Sequence, residues 1–380
     1  MVVQFVLAIE LLFVCTPVPA ATIGGLQAIA LKLRAQRKNP PGWRGESPLL
    51  TSLKHDLRDW VESRLAGEIR DPAAFASALN SELKRAGLIC PEDHCWADNN
   101  LGYLGDVEIS APENDSGWLV VTTSVGIVCE CDQSIYLYEW RDHKWKRQVQ
   151  SEQNGYGRGH YGPLWARGHL SLPDAKQRRL FLTIGASSAC ASVWQEGYFQ
   201  LFQLGSAPRQ IFQHRQSMLN IGYEINERVE PDDVLIEFGS SGLEPGFVRP
   251  YILHFKVDGS QAKRVEPIAL QPADFVDEWL TQPWLEISEW SEPNLVRLHA
   301  ALRGKPAEFV YAQHCAHPTD AWQVGVSFEK RGTFHFLIED RGGHRYRMRD
   351  VSTHRDLGCP GEEPIDFDKY PTLFPAREHR

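Results

Sequence analysis

A threefold internal repeat over residues 105–270 restricts the architectures that this chain can adopt. In each unit an apolar segment is followed, after a loop, by a segment that begins with tyrosine and has an aromatic residue four positions later. The three units cover residues 105–150, 167–213 and 222–268, and their tyrosines are Tyr136, Tyr198 and Tyr251. Such self-similarity indicates stacked structural units, because a single small sheet cannot bury both of its faces alone.

Every unit is predicted to contain four short strands, and the first strand of the third unit is predicted at residues 223–226. A polar turn separates the first strand from the second, at Pro112, Pro173 and Pro231. Four antiparallel strands per unit is typical of a propeller blade, so the sequence predicts a mainly β fold with propeller-like repeats. The alternative is a β-sandwich followed by a small α+β domain. Three blades cannot close a ring, so a propeller needs at least one further unit.

Different patterns flank the repeat. Residues 26–100 form a predicted helical arm, in which residues 50–65 have apolar side chains at helical spacing. Asp71 and Pro72 then provide an N-cap and a first-turn proline for a further helix. Residues 271–353 are predicted to form two helices and four strands, as either a fourth blade or a small α+β domain. Residues 354–380 are predicted to be an extended tail.

The first 21 residues resemble a secretory signal peptide. An apolar run ends at the small residues Ala20 and Ala21, although Glu10 interrupts it and no early lysine or arginine precedes it. The alternative is a buried N-terminal helix. The run is too short to span a bilayer, and no later segment reaches that length. We therefore expect a secreted or periplasmic protein with no membrane span in the mature chain.

The cysteine content is also typical of an exported protein. If the signal is removed, seven cysteines remain, and an oxidising compartment favours disulfides among them. The predicted pairs are Cys90–Cys95, Cys129–Cys190 and Cys315–Cys359. Cys131 is then the unpaired thiol. The alternative is a metal or redox site that uses Cys129, Cys131 and Cys190, but a fourth ligand is absent from that pattern, so no metal and no cofactor are predicted.

Functional candidates lie in the predicted loops between the second and third strands and in a glycine-rich connection. The loops cover residues 124–134, 185–197 and 239–250, and the connection covers residues 154–162. The ligand-binding candidates are Arg158, His160, Tyr161, Trp194 and Arg249. Asp132 and Glu244 are the catalytic candidates, because paired carboxylates cleave glycosidic bonds. Asp277 and Glu278, on a later predicted helix, are expected to be solvated.

No common hydrolase, nucleotide or metalloprotease motif is present in the sequence. The formal net charge of −9 argues against nucleic acid as a partner. We expect a non-enzymatic binding or scaffold module for a glycan or protein ligand. The alternative is a carbohydrate-active hydrolase or lyase that uses the loop carboxylates.

Overall fold

The fold is mainly β, with four antiparallel four-stranded sheets and six short helices in the described part of the chain. The computed structural model describes residues 21–36, 48–89, 101–112, 115–127, 130–152, 163–187, 194–219, 225–242, 248–259, 261–355, 358–359 and 373. The helices are α1 (Ile23–Ala35), α2 (Pro48–Arg64), α3 (Pro72–Arg85), α4 (Pro272–Thr281), α5 (Trp284–Ile287) and α6 (Val296–Leu302).

Each sheet is a meander in which consecutive strands pair in sequence order. Sheet 1 contains β1 (Glu108–Ser110), β2 (Trp118–Ile127), β3 (Glu130–Arg141) and β4 (Lys144–Ser151). Sheet 2 contains β5 (Pro163–Leu170), β6 (Arg179–Ser187), β7 (Trp194–Leu204) and β8 (Arg209–Leu219). Sheet 3 contains β9 (Asn226–Val229), β10 (Asp233–Ser241), β11 (Val248–Asp258) and β12 (Gln261–Arg264). Sheet 4 contains β13 (Ala307–His314), β14 (Ala321–Phe328), β15 (Gly332–Asp340) and β16 (Tyr346–Ser352).

This strand order places the turns of each sheet at two opposite ends. The connections from first to second strand and from third to fourth strand lie at one end, here called the lower end. The connection from second to third strand lies at the other, upper end. The described strand ends that border the loops singled out by the sequence lie at the upper end.

The N-terminal helices cover the outer face of sheet 1. The Thr22 hydroxyl accepts a hydrogen bond from the Gly25 amide at 3.2 Å and caps α1. The Asp71 carboxylate caps α3 in the same way, accepting from the Ala74 amide at 2.9 Å, as its sequence predicted. The apolar side of α2, with Leu57 and Trp60, belongs to the same buried cluster as Tyr136 and Tyr138 of β3.

Alternate residues of each strand face opposite sides, so the first three sheets stack face to face. From sheet 1, Ile135 and Leu137 belong to one apolar cluster with Phe181 and Phe202 of sheet 2. The other face of sheet 2 contacts sheet 3, where the rings of Phe199 and Phe238 stack with centroids 4.9 Å apart. The continuous burial of the central strands follows from being covered on both faces.

Sheet 4 packs against helices α4 to α6. Trp279 of α4 is fully buried and meets Phe336 of β15 edge-on, with ring centroids 5.7 Å apart. Residues 271–353 contain helices followed by four strands, and the strand order equals that of the first three sheets. The predicted Cys315–Cys359 disulfide is confirmed, and it ties the start of the C-terminal tail to sheet 4.

Several boundaries differ from the prediction. The predicted upper loop of sheet 1, 124–134, is mostly strand, because backbone pairing continues as far as Ile127 opposite Glu130. The first strand of sheet 3 was predicted at 223–226 and lies at 226–229. Asp277 and Glu278 were predicted to be solvated, and that prediction was wrong: both are fully buried. Among the described residues, no helix has the length and apolarity needed to cross a bilayer.

Candidate functional site

A cleft of about 780 Å³ opens at the lower end, between sheets 1 and 2. Sheet 1 contributes the start of β2 and the end of β3, including Trp118 and Arg141. Sheet 2 contributes its first turn, residues 176–179, and its third-to-fourth strand turn, residues 205–209. Both sheets thus supply equivalent ends, and the cleft lies directly beyond the apolar cluster that joins them.

The cleft is strongly basic although the protein as a whole is acidic. Five of its fourteen lining residues are cationic and only Glu139 is anionic. The five cations are Arg141, Lys176, Arg178, Arg179 and Arg209. Of these, Arg141, Lys176 and Arg209 are exposed to solvent, so a ligand entering the cleft meets them first.

Asp174 fixes the turn that carries two of these cations. One of its carboxylate oxygens accepts hydrogen bonds from the backbone amides of Lys176 and Arg178, both at 2.8 Å. The other oxygen accepts from the Arg178 guanidinium, also at 2.8 Å. Partial burial raises the pKa of Asp174, but these hydrogen bonds outweigh it and the pKa is lowered. The carboxylate therefore stays ionised and holds the turn in one shape.

Arg179 and Arg209 are also held in place by neighbours. The Arg179 guanidinium pairs with Asp115, donates to the Ser171 carbonyl at 3.1 Å, and lies 5.7 Å from the Trp118 ring centroid. Arg209 donates to the Gln203 side chain at 2.8 Å. These contacts reduce the conformational freedom of the cleft before any ligand arrives.

A smaller cavity of about 500 Å³ lies nearby and shares Arg179 with the cleft. Its other charges are paired within the protein: Glu227 contacts both Arg167 and His169, and Asp115 contacts Arg179. The larger cleft is therefore the better candidate for a charged ligand.

The catalytic candidate Asp132 lies in the interior. Its carboxylate is 2.8 Å from the Lys54 ammonium of α2, and both side chains are almost completely buried. The pair joins the helical arm to the upper end of sheet 1. A substrate has no direct access to this carboxylate.

The ligand-binding candidate Arg249 is also fully buried, between sheet 3 and α4. Its guanidinium pairs with Asp277 and donates to Glu278 at 2.7 Å. Arg264 donates to the second Glu278 oxygen at 3.1 Å. Burial alone lowers the pKa of Arg249, but the adjacent carboxylates raise it above its usual value, so it remains charged.

A third carboxyl group, Asp274, faces this cluster. Burial raises its pKa to about 7; Arg249 opposes that rise, and the negative charges of Asp277 and Glu278 add to it. Two arginines already balance two carboxylates there, so a third buried negative charge has no counterpart within the cluster. Near neutral pH, Asp274 is therefore partly protonated.

This raised pKa makes stability depend on pH. In the unfolded chain Asp274 ionises near 3.8, so between about pH 4 and 7 the folded state binds the extra proton and the free energy of unfolding falls as pH rises. We expect the stability advantage of Asp274→Asn over the parent to be larger at pH 8 than at pH 5 by about 2–3 kcal/mol. Urea titrations at the two pH values measure this. Exposed Asp258→Asn is the control and should leave the difference unchanged; equal effects of both substitutions would contradict the assignment.

For the other predicted site residues, the structure describes at most the position of the backbone. The backbone of Trp194 lies at the start of β7, at the upper end. Arg158, His160, Tyr161, Glu244, Cys90, Cys95, Cys129 and Cys190 lie outside the described residues, as does the predicted signal segment up to residue 20. Within the described ranges, no group of three His, Cys, Asp or Glu side chains could hold a metal ion.

The cationic residues of the cleft were not predicted, although their positions in the repeat contain a signal for them. Arg141 closes the third strand of the first repeat, and Lys176 to Arg179 follow the first strand of the second repeat. In a meander these positions share one end, so stacking the repeats brings them together. Neither a protein-family model nor a curated protein matched the chain in comparisons.

Proposed function

We propose that this chain is an exported, non-enzymatic binding module built from propeller-like β repeats, with its ligand site in the cleft between sheets 1 and 2. The observation that carries the proposal is the cleft itself: a concavity of about 780 Å³ formed by fixed turns of two adjacent sheets. Ligand sites typically have this size, and they usually lie on loops held by a rigid scaffold.

Two features support the propeller-like arrangement and the export. Four successive meanders have the same strand order, and the first three stack face to face, as neighbouring blades do. The Cys315–Cys359 disulfide is typical of an oxidising compartment.

Of the two carboxylates considered for a hydrolase, Asp132 occupies a position that supports binding rather than catalysis. A general acid or nucleophile must touch the scissile bond. Asp132 instead lies 1% exposed in an ion pair with Lys54. The ion pair with Lys54 indicates that Asp132 contributes to the packing of α2 against sheet 1.

A variant that fills the cleft tests the proposal without reference to ligand charge. A side chain at Gly205 would begin in open space, so Gly205→Trp can place an indole over the cleft without a clash in the fold. The probes are neutral and acidic tetrasaccharides and short neutral, acidic and basic peptides, tested by isothermal titration calorimetry. We expect at least one probe class to bind the parent and to lose about tenfold or more in affinity in Gly205→Trp.

Ala300→Trp, on the exposed side of α6, is the matched control and should bind as the parent does. Mass spectrometry of the recovered probe should show it unchanged after prolonged incubation. Three results would count against the proposal: no probe binds, binding survives in Gly205→Trp, or the probe is recovered as cleaved product.

A further inference from the structure

We infer that the ligand of this cleft is an acidic oligosaccharide carrying at least two carboxylate or sulfate groups. This inference rests on the proposed function, because it assigns the ligand class to the same cleft. It goes further by specifying which charges of the protein select that ligand.

The cleft carries positive charge that the protein does not neutralise. Arg178 and Arg179 have carboxylate partners in Asp174 and Asp115. For Arg141, Lys176 and Arg209, the contacts found among the described residues include no carboxylate ion pair, and Glu139 is the one acid in the lining. An anionic ligand would complete the charge balance of the lining.

These three cations come from three separate turns. Arg141 ends β3, Lys176 lies between β5 and β6, and Arg209 begins β8. A ligand with several acidic groups can balance cations on all three turns, whereas one small anion would leave most of their charge unbalanced. Guanidinium groups also match planar carboxylates and sulfate oxygens with two parallel hydrogen bonds.

The turns are fixed before a ligand binds, which lowers the entropic cost of association. Asp174 holds the backbone amides of Lys176 and Arg178, and Gln203 holds Arg209. Asp174 is thus a positioning residue: it sets the shape of the turn from which Lys176 projects.

The remaining lining favours a sugar over other polyanions. Gln177 and Ser206 can exchange hydrogen bonds with hydroxyl groups. Trp118 is the single aromatic residue of the lining and the Arg179 guanidinium lies near its ring, so successive nucleobases have no stacking platform. The lining comes from turns and strand ends, not from a continuous strand edge onto which an extended peptide could add.

A matched set of probes tests the inference on the full-length protein by isothermal titration calorimetry. The probes are tetragalacturonate, its methyl ester, a heparin tetrasaccharide, a tetraglutamate peptide and a single-stranded DNA tetranucleotide. We expect one or both acidic tetrasaccharides to bind, and the methyl ester to bind about tenfold or more weakly because it has the same sugars without the charges. Tighter binding of tetragalacturonate identifies carboxylates as the preferred groups, and tighter binding of the heparin fragment identifies sulfates.

The protein variants separate charge from fold. Arg141→Glu with Lys176→Glu should weaken the acidic tetrasaccharide about tenfold or more and reduce the dependence of affinity on salt. Lys305→Glu with Lys330→Glu changes the net charge equally at exposed positions of the region after α6, and should leave the affinity close to that of the parent. Circular dichroism should show all variants folded, because the four positions are exposed.

The outcomes also separate this inference from the proposed function. If the methyl ester binds as tightly as the acid, and Gly205→Trp still blocks it, then the cleft binds a ligand but its selection by charge is refuted. Tighter binding of the peptide or the tetranucleotide would overturn the assignment to a sugar. If no acidic tetrasaccharide binds, the inference fails, whereas the neutral probes still decide whether the cleft is a binding site.

Discussion

Replacing Arg249 with methionine is expected to lower the free energy of unfolding by about 3–5 kcal/mol. The guanidinium lies fully buried between sheet 3 and α4, where it contacts Asp277 and Glu278. Removing it leaves both carboxylates in the interior, where Arg264 still contacts Glu278. Methionine fills similar space, so the loss reflects mainly charge and not a cavity. Urea denaturation at pH 7 measures the effect.

Two comparisons identify the cause of that loss. Arg331→Met removes an exposed arginine and should change stability by less than about 0.5 kcal/mol. Adding Asp277→Asn to Arg249→Met should cost less than the two single substitutions together, because the second change removes a buried charge that the first deprived of its Arg249 contact. Strict additivity, or a loss below 1 kcal/mol, would show that the buried cluster does not join α4 to sheet 3 energetically.

The second large effect is expected at Lys54. Lys54→Met leaves the Asp132 carboxylate buried without its ammonium partner at 2.8 Å, and should also destabilise the protein by about 3–5 kcal/mol. Since the pair joins α2 to sheet 1, hydrogen exchange of α2 should accelerate more than that of sheet 3. The measurement combines denaturation with exchange resolved by segment.

The double variant Lys54→Met with Asp132→Leu provides the control. It replaces the buried pair with apolar side chains, and should recover most of the stability lost in Lys54→Met alone. If Asp132 were instead a catalytic carboxylate, Asp132→Asn would remove turnover of a substrate while leaving stability nearly unchanged. For Asp132→Asn we expect instead a clear loss of stability, because the carboxylate pairs with Lys54 in the interior.

Local sequence signals predicted the secondary structure wherever the contacts that determine it lie within one helix or strand. Asp71 caps α3 because its carboxylate reaches the Ala74 amide three residues later, a contact that depends on spacing alone. The central strands were predictable because they are covered on both faces, so that consecutive residues such as Leu119, Val120 and Val121 are all apolar and buried. The first strand of sheet 3 was misplaced, since residues 226–229 are all polar or half-exposed and contain no alternation to detect.

Contacts between distant elements account for the predictions that failed. A helical repeat places Asp277 and Glu278 beside Trp279, but only the fold brings Arg249 to them from another sheet. Lys54 did carry a local signal, because it lies among the apolar positions Leu50, Leu53 and Leu57 of α2. A charged residue within an apolar face indicates a buried partner, although it does not say that Asp132 is that partner.

The position of the candidate site also depends on contacts between distant elements, and the sequence did not predict it. From the sequence, we predicted the functional residues in the upper loops, where acidic residues that differ between the repeat units interrupt the repeat. The cleft lies at the lower end, where Arg141 and Lys176 occupy turns at the same end of adjacent sheets and become neighbours only when those sheets stack.

Hydrogen exchange with and without the tighter-binding acidic tetrasaccharide tests the location of the site most directly. The account predicts slower exchange of backbone amides in residues 139–141, 174–179 and 203–209, which border the cleft at the lower end. It predicts no change in residues 130–135 and 194–198, at the upper end. Protection confined to the upper end would contradict the assignment of the ligand site to the cleft between sheets 1 and 2.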